Sequence, residues 1–303
     1  MEIKNFKGEI KRDEPLSRHT SYAIGGPADV LACPADREDL RHLLQAIKTR
    51  QLPSFILGGG TNLLVRDGGF RGVMISLQHM HTIKIEREYR SIGGSFAVVY
   101  AEAGASLAGL LSFSVEQGLT GLEFAAGIPG TVGGAVCMNA GTALGEMGDV
   151  IESVSLISPD GESIIRRAEE MGFSYRTTSI PEGHLVLEVR VVLRRDDTEK
   201  IKARIKELLH TRKQRQPWGF PNAGSVFKNS QEESAGKLIE HAGLKGRKVG
   251  GAQVSEKHAN VIVNTGKAKA ADVLSLMEIV KEKVLEVSGV RLEPEIKIIG
   301  DDA

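Results

Sequence analysis

Cysteine, aromatic residues and net charge are all in short supply in this sequence. There are two cysteines, Cys33 and Cys137, in no C-x-x-C or metal-type spacing, which points to a reducing cytoplasm. The 39 basic and 39 acidic residues cancel, so the chain carries no global field for nucleic acid or an anionic membrane. No run of about 18 apolar residues occurs, so no membrane insertion is expected. The N-terminal segment is charged and lacks the apolar centre of a signal peptide, in keeping with a cytoplasmic protein. The eight histidines form no ligand pair and there is no H-E-x-x-H motif, so no catalytic metal is expected. What is plentiful is glycine, at 35 residues, which implies many turns and close backbone approaches.

Two glycine-rich stretches stand out. The first is Leu57-Gly-Gly-Gly-Thr-Asn-Leu-Leu-Val65, and the second runs from Gly121 to Gly141 and contains Gly127-Ile-Pro-Gly130-Thr-Val-Gly-Gly134. A Rossmann loop leads from strand into helix as G-x-G-x-x-G. Here Gly58, Gly59 and Gly60 lead into Asn62-Leu-Leu-Val65, which reads as another strand. A pyrophosphate at such a loop would be held by turn amides, since successive amides aimed into one concavity bind anionic oxygens. Either loop alone reads equally well as a tight turn. The two together point to nucleotide binding.

The coarse pattern is α+β. Residues 36–50 read as a helix capped by Asp36, with Leu40, Leu43, Leu44 and Ile47 on one face. Short apolar runs at 54–57, 62–65, 73–75 and 97–101 read as strands, and Ser106 caps a second helix. Longer strands are expected at 150–157 and 185–193. In the latter, Leu187, Val189, Val191 and Leu193 alternate with Glu188, Arg190 and Val192. A long helix begins near 198, placing a domain boundary at 197 between residues 1–197 and 198–303. Helices at 234–242 and 271–288, a short strand at 260–264 and a closing strand near 293–299 follow.

In the second domain, Pro221-Asn-Ala-Gly-Ser-Val-Phe-Lys-Asn229 gathers polar groups around a glycine turn. Ser225 there either caps the turn or donates a proton, and the pattern by itself favours the cap. No G-x-S-x-G elbow surrounds it, so it is not read as a hydrolase nucleophile. The cations Arg212-Lys-Gln-Arg215 sit at a helix C-terminus, where the dipole favours them, and also close enough to offer charge to a diphosphate.

Taken in order, Arg18-His-Thr-Ser-Tyr-Ala-Ile-Gly-Gly-Pro-Ala-Asp29, Leu57–Val65, Gly121–Gly134, Ser174-Tyr-Arg176, Asn222-Ala-Gly-Ser-Val-Phe-Lys228 and Leu292-Glu-Pro-Glu295 span nearly the whole chain. Together they resemble the UDP-N-acetylenolpyruvoylglucosamine reductase (MurB) family of peptidoglycan synthesis. The resemblance implies the FAD-binding fold of the vanillyl-alcohol oxidase type. In that fold two α+β subdomains, here residues 1–197, are followed by a smaller α+β substrate-binding domain, 198–303. It implies non-covalent FAD against Tyr22, Gly25, Gly26, Gly58, Gly59, Gly60, Thr61, Asn62, Gly121, Gly127, Ile128, Pro129, Gly130, Thr131, Gly133 and Gly134. It carries a catalytic trio onto Arg176, Ser225 and Glu295, the last on the closing strand.

Substrate contacts are assigned to Tyr175, Lys213, Arg215, Asn222, Lys228 and Asn229. The span between Arg176 and Ser225 has no room for the inserted tyrosine loop of the longer family form, so the chain resembles the shorter form. Ser230 stands where a proline often follows, and Gly59-Gly60-Thr61 replaces a Gly-Ser pair. The implied reaction is NADPH-dependent reduction of UDP-N-acetylglucosamine enolpyruvate to UDP-N-acetylmuramate. The alternatives are an oxidase of the same fold or a flavin-binding module without activity.

Overall fold

The computed structural model describes Ile3, residues 6–230 and residues 233–303. The chain forms two compact units, one from residues 1–10, 32–59 and 74–212, the other from 11–31, 60–73 and 213–303. A four-stranded sheet runs in the order Glu9–Pro15, Pro27–Cys33, Phe70–Ser76, Ser54–Leu57.

The first unit is built on an antiparallel sheet ordered Ser163–Arg167, Ile151–Ile157, Leu185–Arg195, Gly94–Glu102, Ile83–Ser91, with Leu119–Thr120 also pairing the central Leu185–Arg195. The expected alternation buries Leu187, Val189, Val191 and Leu193. Glu188 sits on the other face yet is buried as well. A buried carboxylate needs partners, and it accepts from Tyr100 Oη (2.7 Å) and Ser155 Oγ (3.0 Å) and pairs with Arg37 and Arg190. Helix Arg37–Thr49 starts where Asp36 accepts a hydrogen bond from Asp39 N at 2.9 Å. Such a cap contributes about 1 kcal/mol, and burial of Leu40, Leu43, Leu44 and Ile47 adds about 1.5–3 kcal/mol for each side chain.

The pattern break near 197 marks where the strand gives way to helix Thr198–Arg215. The first unit nevertheless runs on to Arg212. The reason is local: Ile201 is the helix's buried residue, and Arg204 pairs with Glu123 (2.9 Å) and Asp196 (2.6 Å).

The second unit packs Tyr22, Ile24, Leu64, Phe227, Ile239 and Ile296 with Val273, Leu276, Met277, Val280 and Val284 of helix Ala270–Ser288. Those helix positions recur at three and four residues, one face of the helix. The Asp67 carboxylate accepts from Ala270 N (2.9 Å) and Ala271 N (3.0 Å) at its start. A small antiparallel sheet, Lys248–Val249, Ala252–Val254 and Ile262–Asn264, lies beside it. The closing strand is shorter than expected, Lys297–Ile299, and pairs in parallel with Leu63–Val65. Glu295 lies before the strand rather than on it, because its amide pairs with Val226 O (2.8 Å) and only from Lys297 does the chain donate to the Leu63–Val65 side, to Asn62 O (3.0 Å).

Candidate active site

Each unit carries a group of functional candidates, built in different ways. In the first unit the two glycine-rich loops meet. Gly58 is exposed, and a Cβ there would come within 2.9 Å of Thr131 Oγ1. Only glycine allows that approach. Thr131 caps the short helix Val132–Cys137 through Gly134 N (3.3 Å), Val132 N donates to Ala105 O (2.8 Å), and Gly133 N donates to Ala103 O (2.9 Å). The first amides of this helix are thus occupied by the protein itself. Only loop amides ahead of the helix could be offered to an anion there. Ile128 N donates to Ala125 O, and Gly121 N to Glu123 Oε2 (2.7 Å). Gly127, at φ +74°, leaves room for the Arg212 side chain, since a Cβ would lie 2.8 Å from Arg212 Cδ.

Arg176 sits at the tip of a tight turn closed by Ser174 N to Thr177 O and Thr177 N to Ser174 O, both 3.1 Å. Its backbone is left-handed, φ +59°. That conformation is uncommon without glycine, and such strain collects at functional positions. Its guanidinium lies over the exposed Tyr175 ring at 5.1 Å, and Nη1 donates to Gly141 O at 3.2 Å. The turn is fastened to the second glycine-rich segment. Thr178 Oγ1 donates to Val136 O (2.6 Å), and buried Asn139 donates from Nδ2 to Ser174 O (3.1 Å) and Glu146 Oε1 (2.7 Å) while accepting from Gly148 N (2.9 Å). Burial, and then the Arg176 charge, push the Arg212 guanidinium below its usual range. Two cations near one glycine-rich loop make a natural anion site.

In the second unit Ser225 and Glu295 are brought together by backbone pairing. Glu295 N donates to Val226 O (2.8 Å), Phe227 bridges Pro294, and Lys228 N donates to Glu293 O (2.9 Å). Asn62 holds the other side of Glu295, donating from Nδ2 to its carbonyl at 3.1 Å. The Ser225 turn is organised by asparagines. Asn222 Oδ1 accepts from Gly224 N (2.9 Å), and Asn260 Oδ1 accepts from Phe227 N (3.0 Å) while its Nδ2 donates to Phe227 O (2.8 Å). Ser225 itself is half-buried, and its hydroxyl makes no hydrogen bond to another described residue. The capping role favoured by its sequence pattern is filled by its neighbours.

The remaining candidates divide the same way. Gly26 N donates to Arg66 O (3.1 Å), adjoining Gly25, while Gly60 O accepts from Ser21 N (3.0 Å), so this segment and the end of the first loop are packed together. Tyr22 is completely buried, and its hydroxyl has no hydrogen-bond partner among the described residues. Asn229 Oδ1 accepts from Ala235 N (3.1 Å) and Lys228 Nζ pairs with Glu293 (3.5 Å), while Lys213 and Arg215 are exposed. A cavity of about 810 Å³ between helix Arg37–Thr49 and residues 159–162 includes none of these residues, and its cations Arg41 and Lys48 are taken up by Gly161 O and Asp160.

Residues 28–165 match the family model of an FAD binding domain, and residues 216–299 match that of the UDP-N-acetylenolpyruvoylglucosamine reductase C-terminal domain. The chain is 46% identical over 296 residues to the UDP-N-acetylenolpyruvoylglucosamine reductase of Caldanaerobacter subterraneus subsp. tengcongensis, covering 97% of this chain and 95% of that one. It is likewise 46% identical over 296 residues to that of Moorella thermoacetica, covering 98% and 95%. The crystal structure of UDP-N-acetylenolpyruvylglucosamine reductase (MurB) from Thermus caldophilus superimposes with a TM-score of 0.81 at 37% identity, covering 97% of this chain and 99% of that one. The chain thus carries an FAD binding domain followed by a reductase C-terminal domain, in the mixed α and β architecture expected. The chain is an FAD-dependent oxidoreductase and belongs to the UDP-N-acetylenolpyruvoylglucosamine reductase family.

Proposed function

We propose that this protein reduces UDP-N-acetylglucosamine enolpyruvate to UDP-N-acetylmuramate with NADPH, in cytoplasmic peptidoglycan precursor synthesis. Residues 1–197 serve the cofactor and, through Tyr175 and Arg176, the substrate; residues 198–303 serve the substrate. FAD, held without a covalent link, would supply the hydride chemistry that joins NADPH to the sugar nucleotide. The fit of the chain to FAD rests on the exposed glycine backbone at Gly58 beside Thr131 and on the Tyr22 hydroxyl, a buried polar atom with no partner among the described residues.

As a hydride reaches the methylene carbon of the enolpyruvyl ether, negative charge develops at C2 and spreads into the carboxylate. Fixed cations and donors act most strongly where such charge appears. Arg176 grips the carboxylate and stabilises the enolate, with Arg212 adding positive charge from the same unit. Ser225 gives its proton to C2, and Glu295 orients the reacting group. A serine is a weak acid, so its efficiency depends on being aimed at a basic carbon. The observation that carries this reading is the pairing of Glu295 N with Val226 O beside a Ser225 hydroxyl that no described residue engages.

The test is spectroscopic. Under anaerobic conditions NADPH should bleach the flavin absorbance of the purified protein, and the enolpyruvyl nucleotide should restore it with formation of the lactyl ether. Bleaching reversed only by oxygen would point to an oxidase instead, and absence of bleaching to a flavin-binding module.

A further inference from the structure

Building on that reading, we infer that Asn260 is a positioning residue for proton delivery, its side-chain amide standing in for a backbone strand and setting the aim of Ser225 relative to Glu295. The loop that carries Ser225 is tied at both flanks to one segment, residues 260–264. Asn264 N donates to Pro221 O (2.8 Å) at its start, and Val226 N donates to Asn260 O (2.8 Å) at its end. The Asn260 side chain carries the pairing one residue further, accepting from Phe227 N (3.0 Å) and donating to Phe227 O (2.8 Å). Of the four backbone polar groups of Val226 and Phe227, Asn260 thus holds three. The fourth, Val226 O, accepts from Glu295 N (2.8 Å).

Asn260, Val226 and Phe227 are all buried. Their amides have no water to turn to, so each polar group depends on the partner it has. Asn260 is held in its turn by a tight loop. Its N donates to His258 Nδ1 (3.3 Å), Val261 N donates to His258 O (2.9 Å), and Ser255 Oγ accepts from Lys257 N (3.1 Å) and His258 N (3.2 Å).

Ser225 has no such tether through its own side chain, since its hydroxyl engages no described residue. Its Cα lies one peptide, about 3.8 Å, from that of Val226. The Val226 amide, fixed by Asn260 O, therefore sets the direction in which the hydroxyl points. Both ends of the Asn260 side-chain amide go to Phe227, which bridges Pro294 immediately before Glu295. Ser225 and Glu295 are referred to the same two-residue rung, and Asn260 holds that rung in place. A hydroxyl that works by being aimed at a carbon is sensitive to its placement, and a shift of about 1 Å costs on the order of 10²-fold.

The test is a double-mutant cycle on the holoprotein, read in the two half-reactions by stopped-flow flavin absorbance. Asn260→Ala should keep FAD and be bleached by NADPH within about threefold of the wild-type rate, because that step needs no aimed hydroxyl. Reoxidation at saturating enolpyruvyl nucleotide should slow about 10- to 100-fold, with the half-saturating concentration within about threefold of wild type. In the Ser225→Ala background the same substitution should slow reoxidation by less than about twofold, since the group it positions is gone. A residue that only supports the fold would instead give a slowing that multiplies with that of Ser225→Ala. Asn260→Asp keeps the size and the oxygen that faces Phe227 N, and takes the place of Asn260→Ala in the cycle should the latter lose FAD. Multiplying effects, unaltered reoxidation in the single variant, a loss confined to the half-saturating concentration, or loss of FAD in both variants would each overturn the inference. Failure of the functional reading looks different: the wild-type holoprotein would not turn over the enolpyruvyl nucleotide at all.

Discussion

Asn139 is the residue through which the fold of the first unit fixes the position of Arg176, so its replacement should damage stability and turnover together. Its side chain makes two neutral hydrogen bonds, to Ser174 O and from Gly148 N, and one to the Glu146 carboxylate. Neutral bonds contribute about 0.5–1.5 kcal/mol each and a bond to a charged group about 1.5–3, giving roughly 2.5–6 kcal/mol for the set. The backbone adds a further term. Asn139 is left-handed, φ +41°, a conformation that asparagine tolerates better than alanine by about 1 kcal/mol. Asn139→Ala should therefore cost roughly 3.5–7 kcal/mol, and Asn139→Gly, which keeps the backbone free, about 1 kcal/mol less. Urea unfolding monitored by circular dichroism measures both.

The functional consequence is separable. Without Asn139 the Ser174–Thr177 turn loses its buried anchor, and the Arg176 guanidinium loses its fixed aim. Stopped-flow flavin absorbance in Asn139→Gly should show bleaching by NADPH close to normal and reoxidation by the enolpyruvyl nucleotide slowed at least tenfold. A stability loss under about 1 kcal/mol for Asn139→Ala, or unaltered reoxidation in Asn139→Gly, would refute this account of the turn.

Three other outcomes are expected. Tyr22→Phe removes a buried hydroxyl with no partner, and since an uncompensated hydroxyl costs about 1–3 kcal/mol, the FAD-free protein should unfold at higher urea; a lower midpoint would contradict this. Burial pushes the Glu123 carboxyl up, but hydrogen bonds from Thr120 and Gly121 N and the charge of Arg204 outweigh it and hold it below the ordinary range. Its stabilising contribution is complete above the unfolded value, about 4.3, and is lost as pH falls through the lower folded value. Glu123→Gln should accordingly flatten the acid limb of a stability–pH curve, and an identical limb would exclude the effect. Arg176→Lys keeps the charge but loses the planar fork that grips a carboxylate twice; reoxidation by the enolpyruvyl nucleotide should collapse while FAD remains bound, and near-normal turnover would remove Arg176 from the catalytic set.

Much of the local structure could be read from the chain, because caps and apolar spacing act over a few residues. Asp36 and Ser106 both cap the helices expected of them. The strand–loop–strand setting of the first glycine run is likewise present, between Ser54–Leu57 and Leu63–Val65. What escaped was decided at long range. The sequence places Glu295 on the closing strand, but its amide goes to Val226, far away in sequence, and pairing with Leu63–Val65 begins only at Lys297. Arg212 at a helix end looks the same in sequence whether it faces water or Gly127. Asn139 gave no sign beyond its place in the second glycine-rich segment, since a left-handed asparagine with three buried bonds becomes visible only once the Arg176 turn is folded onto it. Glu188 was expected on a polar face. It is buried because its strand is central to the sheet, with Tyr100 and Ser155 reaching it from the neighbouring strands.

The central claim is that Ser225 delivers a proton during substrate reduction and does not merely shape its turn. Stopped-flow flavin absorbance of Ser225→Ala in the two half-reactions tests it most directly. Bleaching by NADPH needs no proton from serine and should be nearly unchanged. Reoxidation by the enolpyruvyl nucleotide should slow by about 10²–10⁴-fold, the usual loss for a positioned acid, with partial recovery in Ser225→Cys. Equal slowing of both steps, or reoxidation at the wild-type rate, would contradict the account.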